Sequence, residues 1–192
     1  YETSSIEDGA FLTRAGDLVE LDETFEHDAL MGGLSVRYEF NDGFAVFGSA
    51  AYTESFPIID DLGSEAFREQ PEKATTYEIG GSYDGFDVFT TGDSLAFKVN
   101  YYETTTEDIT SFFGVDEVRT EGLELELSYA MENGFYIDAN ANFADGEEDQ
   151  GDETLDFRNV PADSLFLTVG QRFGQELDVS WEIVANAETE RN

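Results

Sequence analysis

The chain has 192 residues and a formal net charge of −35, from 44 Asp plus Glu against 9 Lys plus Arg, which excludes a nucleic-acid backbone as partner because such binders carry basic patches. Acidity alone would suit a disordered chain, but 40% hydrophobic and 14% aromatic residues are enough to build a packed structure. There is no Cys and one His, His27, which excludes disulfide scaffolds, thiolate catalysis, Cys-ligated zinc and multi-His metal sites.

The longest uncharged run, Gly43 to Thr53, has eleven residues, too short for a membrane helix of about 20. Membrane-spanning β-strands stay open, because they alternate and never look hydrophobic on average. Period-two alternation runs along most of the chain. One irregular strand is expected between Ala10 and Phe25. From Leu30 to Phe40 the even positions are Leu30, Gly32, Leu34, Val36, Tyr38 and Phe40, with Ser35, Arg37 and Glu39 between them. The stretch from Phe44 to Thr53 is apolar or small on both faces. Then come Tyr77 to Tyr83, Leu95 to Tyr101, Leu123 to Tyr129, Phe135 to Phe143, Leu165 to Val169 and Leu177 to Ala185, each with one uncharged face.

Short and long connections alternate between these strands. Asn41-Asp42-Gly43, Met131 to Gly134 and Phe173 to Gln175 are tight hairpin signals, and Asp84 to Asp93 is somewhat longer. Ser55 to Glu72, Thr106 to Asp116 and Asp145 to Val160 are long. A membrane barrel puts short turns at one rim and long loops at the other. Aromatic residues also gather toward strand ends, Tyr38, Phe40, Tyr129 and Phe135 by the short turns and Tyr77, Tyr101 and Phe143 toward the long ones, as at a membrane interface. The fold class is all-β, an antiparallel up-and-down meander. Alternation does not distinguish an apolar face turned to lipid from one turned to a sandwich core.

The segment Gln70-Pro71-Glu72-Lys73-Ala74-Thr75-Thr76-Tyr77-Glu78-Ile79-Gly80 resembles a hallmark of TonB-dependent outer-membrane receptors. Phe47 to Pro57 resembles the strand and Pro-containing loop before it, and Glu103 to Ile109 the Asp-x-Ile connection after it. Thr120 to Glu126 is similar to the family's Gly-hydrophobic-Glu strand, and Asn159-Val160-Pro161 to its Ile-Pro step. The closest likeness is to the haem and haemoglobin receptors. The resemblance implies that 1–192 is a fragment of one 22-stranded transmembrane β-barrel of the Gram-negative outer membrane, with the plug domain and other strands outside it. It implies active uptake of haem, a ferric siderophore or another scarce nutrient. The implied partners are the TonB energy-transducing complex, an extracellular small molecule and outer-membrane lipid. No resident cofactor is implied; haem or a ferric chelate would be cargo. The alternative is a soluble or surface β-sandwich binding module. No nucleophile–base constellation points to an enzyme.

Pro71, Glu72, Tyr77, Glu78, Gly80, Gly122, Glu124 and Pro161 carry the family motifs and are expected to be structural, setting loop exits and strand register. Arg68, Phe112 and Phe113, in the long connections, are the candidate ligand contacts. Glu124 and Glu126, two apart on one strand face, are read as lining a wet interior. His27 is read as a solvated strand-end residue. Asp145 to Asp156 lacks the spacing of an EF-hand and is read as a mobile acidic loop, with no metal site. An open piece of barrel would leave free edges and a bare apolar face. It therefore either inverts to bury Val99, Leu125 and Trp181, pairs with another copy, or keeps them outward on a curved wall with Lys98 and Glu124 inside.

Overall fold

The computed structural model describes residues 2–12, 18–27, 29–40, 43–55, 71–109, 114–151 and 153–187, and for 2–27 the backbone alone. The strands are β1 (Glu2–Leu12), β2 (Leu18–His27), β3 (Met31–Glu39), β4 (Phe44–Ser55), β5 (Glu72–Phe86), β6 (Ser94–Glu107), β7 (Glu117–Ala130), β8 (Phe135–Asp149), β9 (Thr154–Asp156), β10 (Ser164–Phe173) and β11 (Leu177–Asn186).

β1 and β2 form their own antiparallel hairpin, with Glu2 opposite His27 and Leu12 opposite Leu18. This corrects the expectation of one irregular strand between Ala10 and Phe25. Charges at Glu7, Asp8, Glu20, Asp22 and Glu23 blur the two-residue period. A backbone ladder needs no clean apolar face to form.

The other strands make one antiparallel sheet in the order β3-β4-β5-β6-β7-β8-β10-β11, with β9 added beside the far end of β8. The strand ends that flank the short connections 40–43, 87–93, 131–134 and 174–176 all lie on one side of the sheet, and those that flank 56–71, 108–116 and 150–163 all lie on the other. The tight turns are local chemistry. Gly134 has φ 89°, and a Cβ there would strike the Arg172 carbonyl.

The acidic stretch after Phe143 is not a mobile loop. β8 continues to Asp149, paired on one side with Glu117 to Glu121 of β7 and on the other with β9. Backbone pairing on both sides outweighs repulsion among solvated carboxylates, which salt screens.

Strand register carries each face across the whole sheet. Tyr38, Val46, Gly81, Val99, Leu125, Ala141, Leu165 and Ala185 stand opposite one another in one row. The neighbouring row on the other face is Arg37, Phe47, Gly80, Asn100, Glu124, Asn142, Ser164 and Asn186. Leu123, Leu125, Leu127 and Tyr129 therefore share the apolar face, as the alternation predicts. Within this sheet, every buried strand residue described lies on the polar face: Ala45, Asn100, Val118, Gly122, Tyr136, Gly146, Thr168 and Gly170. On the apolar face Leu34 is 72% exposed, Ile79 66% and Trp181 64%. The polar face is thus the crowded, concave one and the apolar face the open, convex one. Among the described residues no second sheet covers the apolar face, so the sandwich arrangement is not the one found.

β5 to β8 are 14 or 15 residues long, whereas a tilted membrane strand needs about 9–11. The surplus stands at the long-loop end. There the convex face changes abruptly from Tyr101, Leu123 and Phe143 to the cross-strand row Glu103, Glu121 and Asp145. Arg119 lies between like charges, pairing with Glu103 and reaching Glu121 at 3.8 Å. The Tyr101 hydroxyl donates to Glu121 at 2.6 Å. Its ring stays on the apolar side and its hydroxyl on the charged side, as suits an interface between lipid and water.

Candidate functional site

The chemistry-bearing side chains lie on the concave wall. Its cations are already neutralised: Arg37 pairs with Glu39 (3.2 Å), Lys98 with Glu126 (3.1 Å) and Arg172 with Asp178 (3.4 Å). These pairs are half exposed and each stabilises by at most about 1 kcal/mol. Glu78, Asp84, Glu124, Asp138 and Glu182 of the same face have no cation partner among the described residues. The Ser49 hydroxyl donates to Glu78 (2.8 Å) and the Ser128 hydroxyl to Asp138 (2.7 Å). Arg37 also reaches past β4 to donate to Ser82 of β5 at 3.2 Å, over the small side chain of Ala45, which is 1% exposed. Arg37, Ser82, Lys98, Glu126, Ser128 and Asp138 line one cleft of about 320 Å³. Residues of five strands converge in this way on the hollow side of a bent sheet.

Three aromatic rings lie flat on this wall, each on a glycine directly across the strand pair: Phe47 on Gly80, Tyr102 on Gly122, and Tyr136 on Gly170. A Cβ at any of the three glycines would collide with the ring. Tyr136 is further held by Arg172 stacked 4.5 Å from its centroid and by its hydroxyl donating to Asp178 at 3.0 Å. Two of these glycines, Gly80 and Gly122, are among the motif residues, and each is the seat of a ring. None of the three pairs was found from sequence.

The remaining motif residues are placed as follows. Pro71 precedes β5, and Glu72 opens it opposite Ser55. Tyr77 stands on the convex face, 57% exposed, in the band that also holds Tyr101. Glu78 and Glu124 face the concave side. Pro161 follows β9 and comes three residues before β10. Glu124 accepts a long hydrogen bond from Asn100 Nδ2 at 3.4 Å. Asn100 is 5% exposed, and its Oδ1 is a buried oxygen with no partner among the described residues. Arg68, Phe112 and Phe113 lie outside the described residues, as does the side chain of His27. Ile109, Val115 and Val118 form a small core at the long-loop end, with Phe157 packed on it. It ties the β6–β7 and β8–β10 connections together. Phe157→Ala should remove that tie and raise amide exchange at Val115 and Val118 without altering the middle of the sheet.

Sequence reasoning also missed Asp93, which is 1% exposed. Its carboxylate accepts the N–H groups of Val88 (2.6 Å), Phe89 (3.0 Å) and Thr90 (2.8 Å), and the Tyr129 hydroxyl (3.0 Å). Burial alone would raise its pKa, but the hydrogen bonds from Thr90, Phe89, Tyr129 and Val88 outweigh it and hold the carboxyl below its ordinary value. A lowered folded-state pKa contributes stability that is present above the ordinary carboxylate pKa and is lost as pH falls below about 4. Amide exchange at Val88, Phe89 and Thr90 should therefore accelerate below that pH. In Asp93→Asn it should already be fast at pH 7 and change little with acid.

The arrangement has one apolar face and one polar face, charge-tipped strands, and long connections that all leave from the same side of the sheet. No curated protein matches the chain. A family model described as TonB dependent receptor-like, beta-barrel, matches residues 1–190, nearly the whole sequence. Its agreement with the wall geometry means that the chain belongs to the TonB-dependent receptor β-barrel family, a family of outer-membrane proteins.

Proposed function

We propose that the chain forms an arc of the 22-stranded barrel of a TonB-dependent receptor in a Gram-negative outer membrane, importing a scarce nutrient such as haem or a ferric chelate. The observation that carries this is the direction of the two faces. The apolar residues lie on the convex side, where lipid would stand, and the charged and amide residues on the concave side, where an aqueous lumen would be. The edge strands β3 and β11 each have one neighbour in the described sheet, which suits an arc continued by further strands. Expressed at full length, the receptor should fractionate with the outer membrane. It should support nutrient accumulation only while the TonB complex is intact. Recovery as a soluble protein, or uptake indifferent to loss of TonB, would overturn the proposal.

A further inference from the structure

One part of the concave wall has hydrogen-bonding groups that the protein itself does not use. A cleft of about 400 Å³ lies across β7, β8, β10 and β11, lined among others by Glu124, Asn140, Asn142, Ser164, Phe166 and Asn186. Glu124, Asn142, Ser164 and Asn186 stand directly opposite one another in a single cross-strand row. Ser164 opens β10 and Asn186 closes β11 at the long-loop end, while β7 and β8 run on past Glu124 and Asn142 toward that end, so the cleft lies part-way down the wall.

The side chains of Asn140, Asn142, Ser164 and Asn186 make no hydrogen bond among the described residues. Asn100, the next residue of the row, has a buried Oδ1 without a partner. Three carboxamides, a hydroxyl and two carboxylates, Glu124 and the Lys98-paired Glu126, around one aromatic ring form a donor–acceptor set that fits vicinal hydroxyl groups. The Phe166 ring offers an apolar surface for C–H groups. The charge decides the rest. Glu124 has no cation partner, and Lys98, the nearest cation of the same wall, is held by Glu126 at 3.1 Å. An anionic ligand would be repelled here and a neutral or cationic one would not.

We propose that this cleft binds a polyhydroxylated ligand without net negative charge, of the class of neutral or amino sugars, as a contact of the transported molecule. The proposal rests on the receptor function above and narrows its substrate class.

The test uses the purified full-length receptor in detergent and titrates it with four probes. These are a neutral oligosaccharide panel, a glucosamine oligomer, a galacturonate oligomer and an anionic ferric tris-catecholate. Binding by the neutral or amino probes, weakened about tenfold each by Asn142→Ala and Ser164→Ala, is the expected result. Preference for the galacturonate or the catecholate complex overturns it. So does binding to none of the probes, or binding that both substitutions leave unchanged. Each variant's outer-membrane level and heat-shifted gel mobility should match wild type, which separates a lost contact from a misfolded barrel. Uptake that depends on TonB while the cleft variants bind normally would leave the receptor function standing and remove the sugar site alone.

Discussion

Leu125→Arg should prevent stable insertion of the receptor, at a cost of about 2–4 kcal/mol for a cation near the bilayer midplane on the lipid face of a barrel. Leu125 is the middle of the three leucines of the β7 apolar stretch, with Val99 and Ala141 directly beside it on the same face. None of these neighbours can pair with or solvate a guanidinium. One residue along, Glu126 faces the concave side and makes a half-exposed pair with Lys98. Glu126→Gln should cost less than about 1 kcal/mol. The comparison is internal: adjacent positions, opposite faces, opposite outcomes. It is read from the outer-membrane level and heat-shifted gel mobility of the full-length receptor. Equal tolerance of the two substitutions would mean that the apolar face does not meet lipid. A normal Leu125→Arg receptor with a failing Glu126→Gln one would mean that the wall is turned the other way.

Gly122→Val should destabilise the barrel by about 1–3 kcal/mol, the usual range for forcing extra atoms into a packed position. The added side chain meets the Tyr102 ring, which has nowhere to go without leaving the wall. Removing the ring should reverse the effect. In Gly122→Val/Tyr102→Ala the loss should fall short of the sum of the two single losses, because the collision no longer exists. A double-mutant cycle on urea midpoints checks this. Strict additivity would show that Gly122 serves the backbone and not the ring. The same logic applies to Gly170 beneath Tyr136; at Gly80 a Cβ would also strike the Val99 carbonyl, so removing the Phe47 ring would not relieve the collision.

The pattern of side chains along each strand was legible before any coordinates. Leu123 to Tyr129 and Leu95 to Tyr101 alternate so cleanly that their shared face follows from the two-residue period alone. The positions of the tight turns followed from Gly43 and Gly134 and their neighbours, and with them the placing of every long connection at one end. The hairpin β1–β2 and the extension of β8 to Asp149 were not legible, because both are rich in charge and held by backbone pairing.

Three things needed the tertiary structure. Alternation is unchanged when a sheet is turned inside out, so only the burial of the polar-face residues showed that Val99, Leu125 and Trp181 lie on the open face and Lys98 and Glu124 on the crowded one. The carboxylate of Asp93 accepts the N–H groups of Val88 to Thr90 within its own turn, but the hydroxyl of Tyr129 reaches it only once β6 and β7 are side by side. The aromatic–glycine seats are the third case. Phe47 and Gly80, Tyr102 and Gly122, and Tyr136 and Gly170 each face one another across a long connection: 56–71, 108–116 and 150–163. A tight turn fixes the register of the strands it joins, so partners can be counted outward from it. A long connection fixes no register, and which residue stands opposite which is decided there by the packing of rings, small residues and backbone across the finished wall.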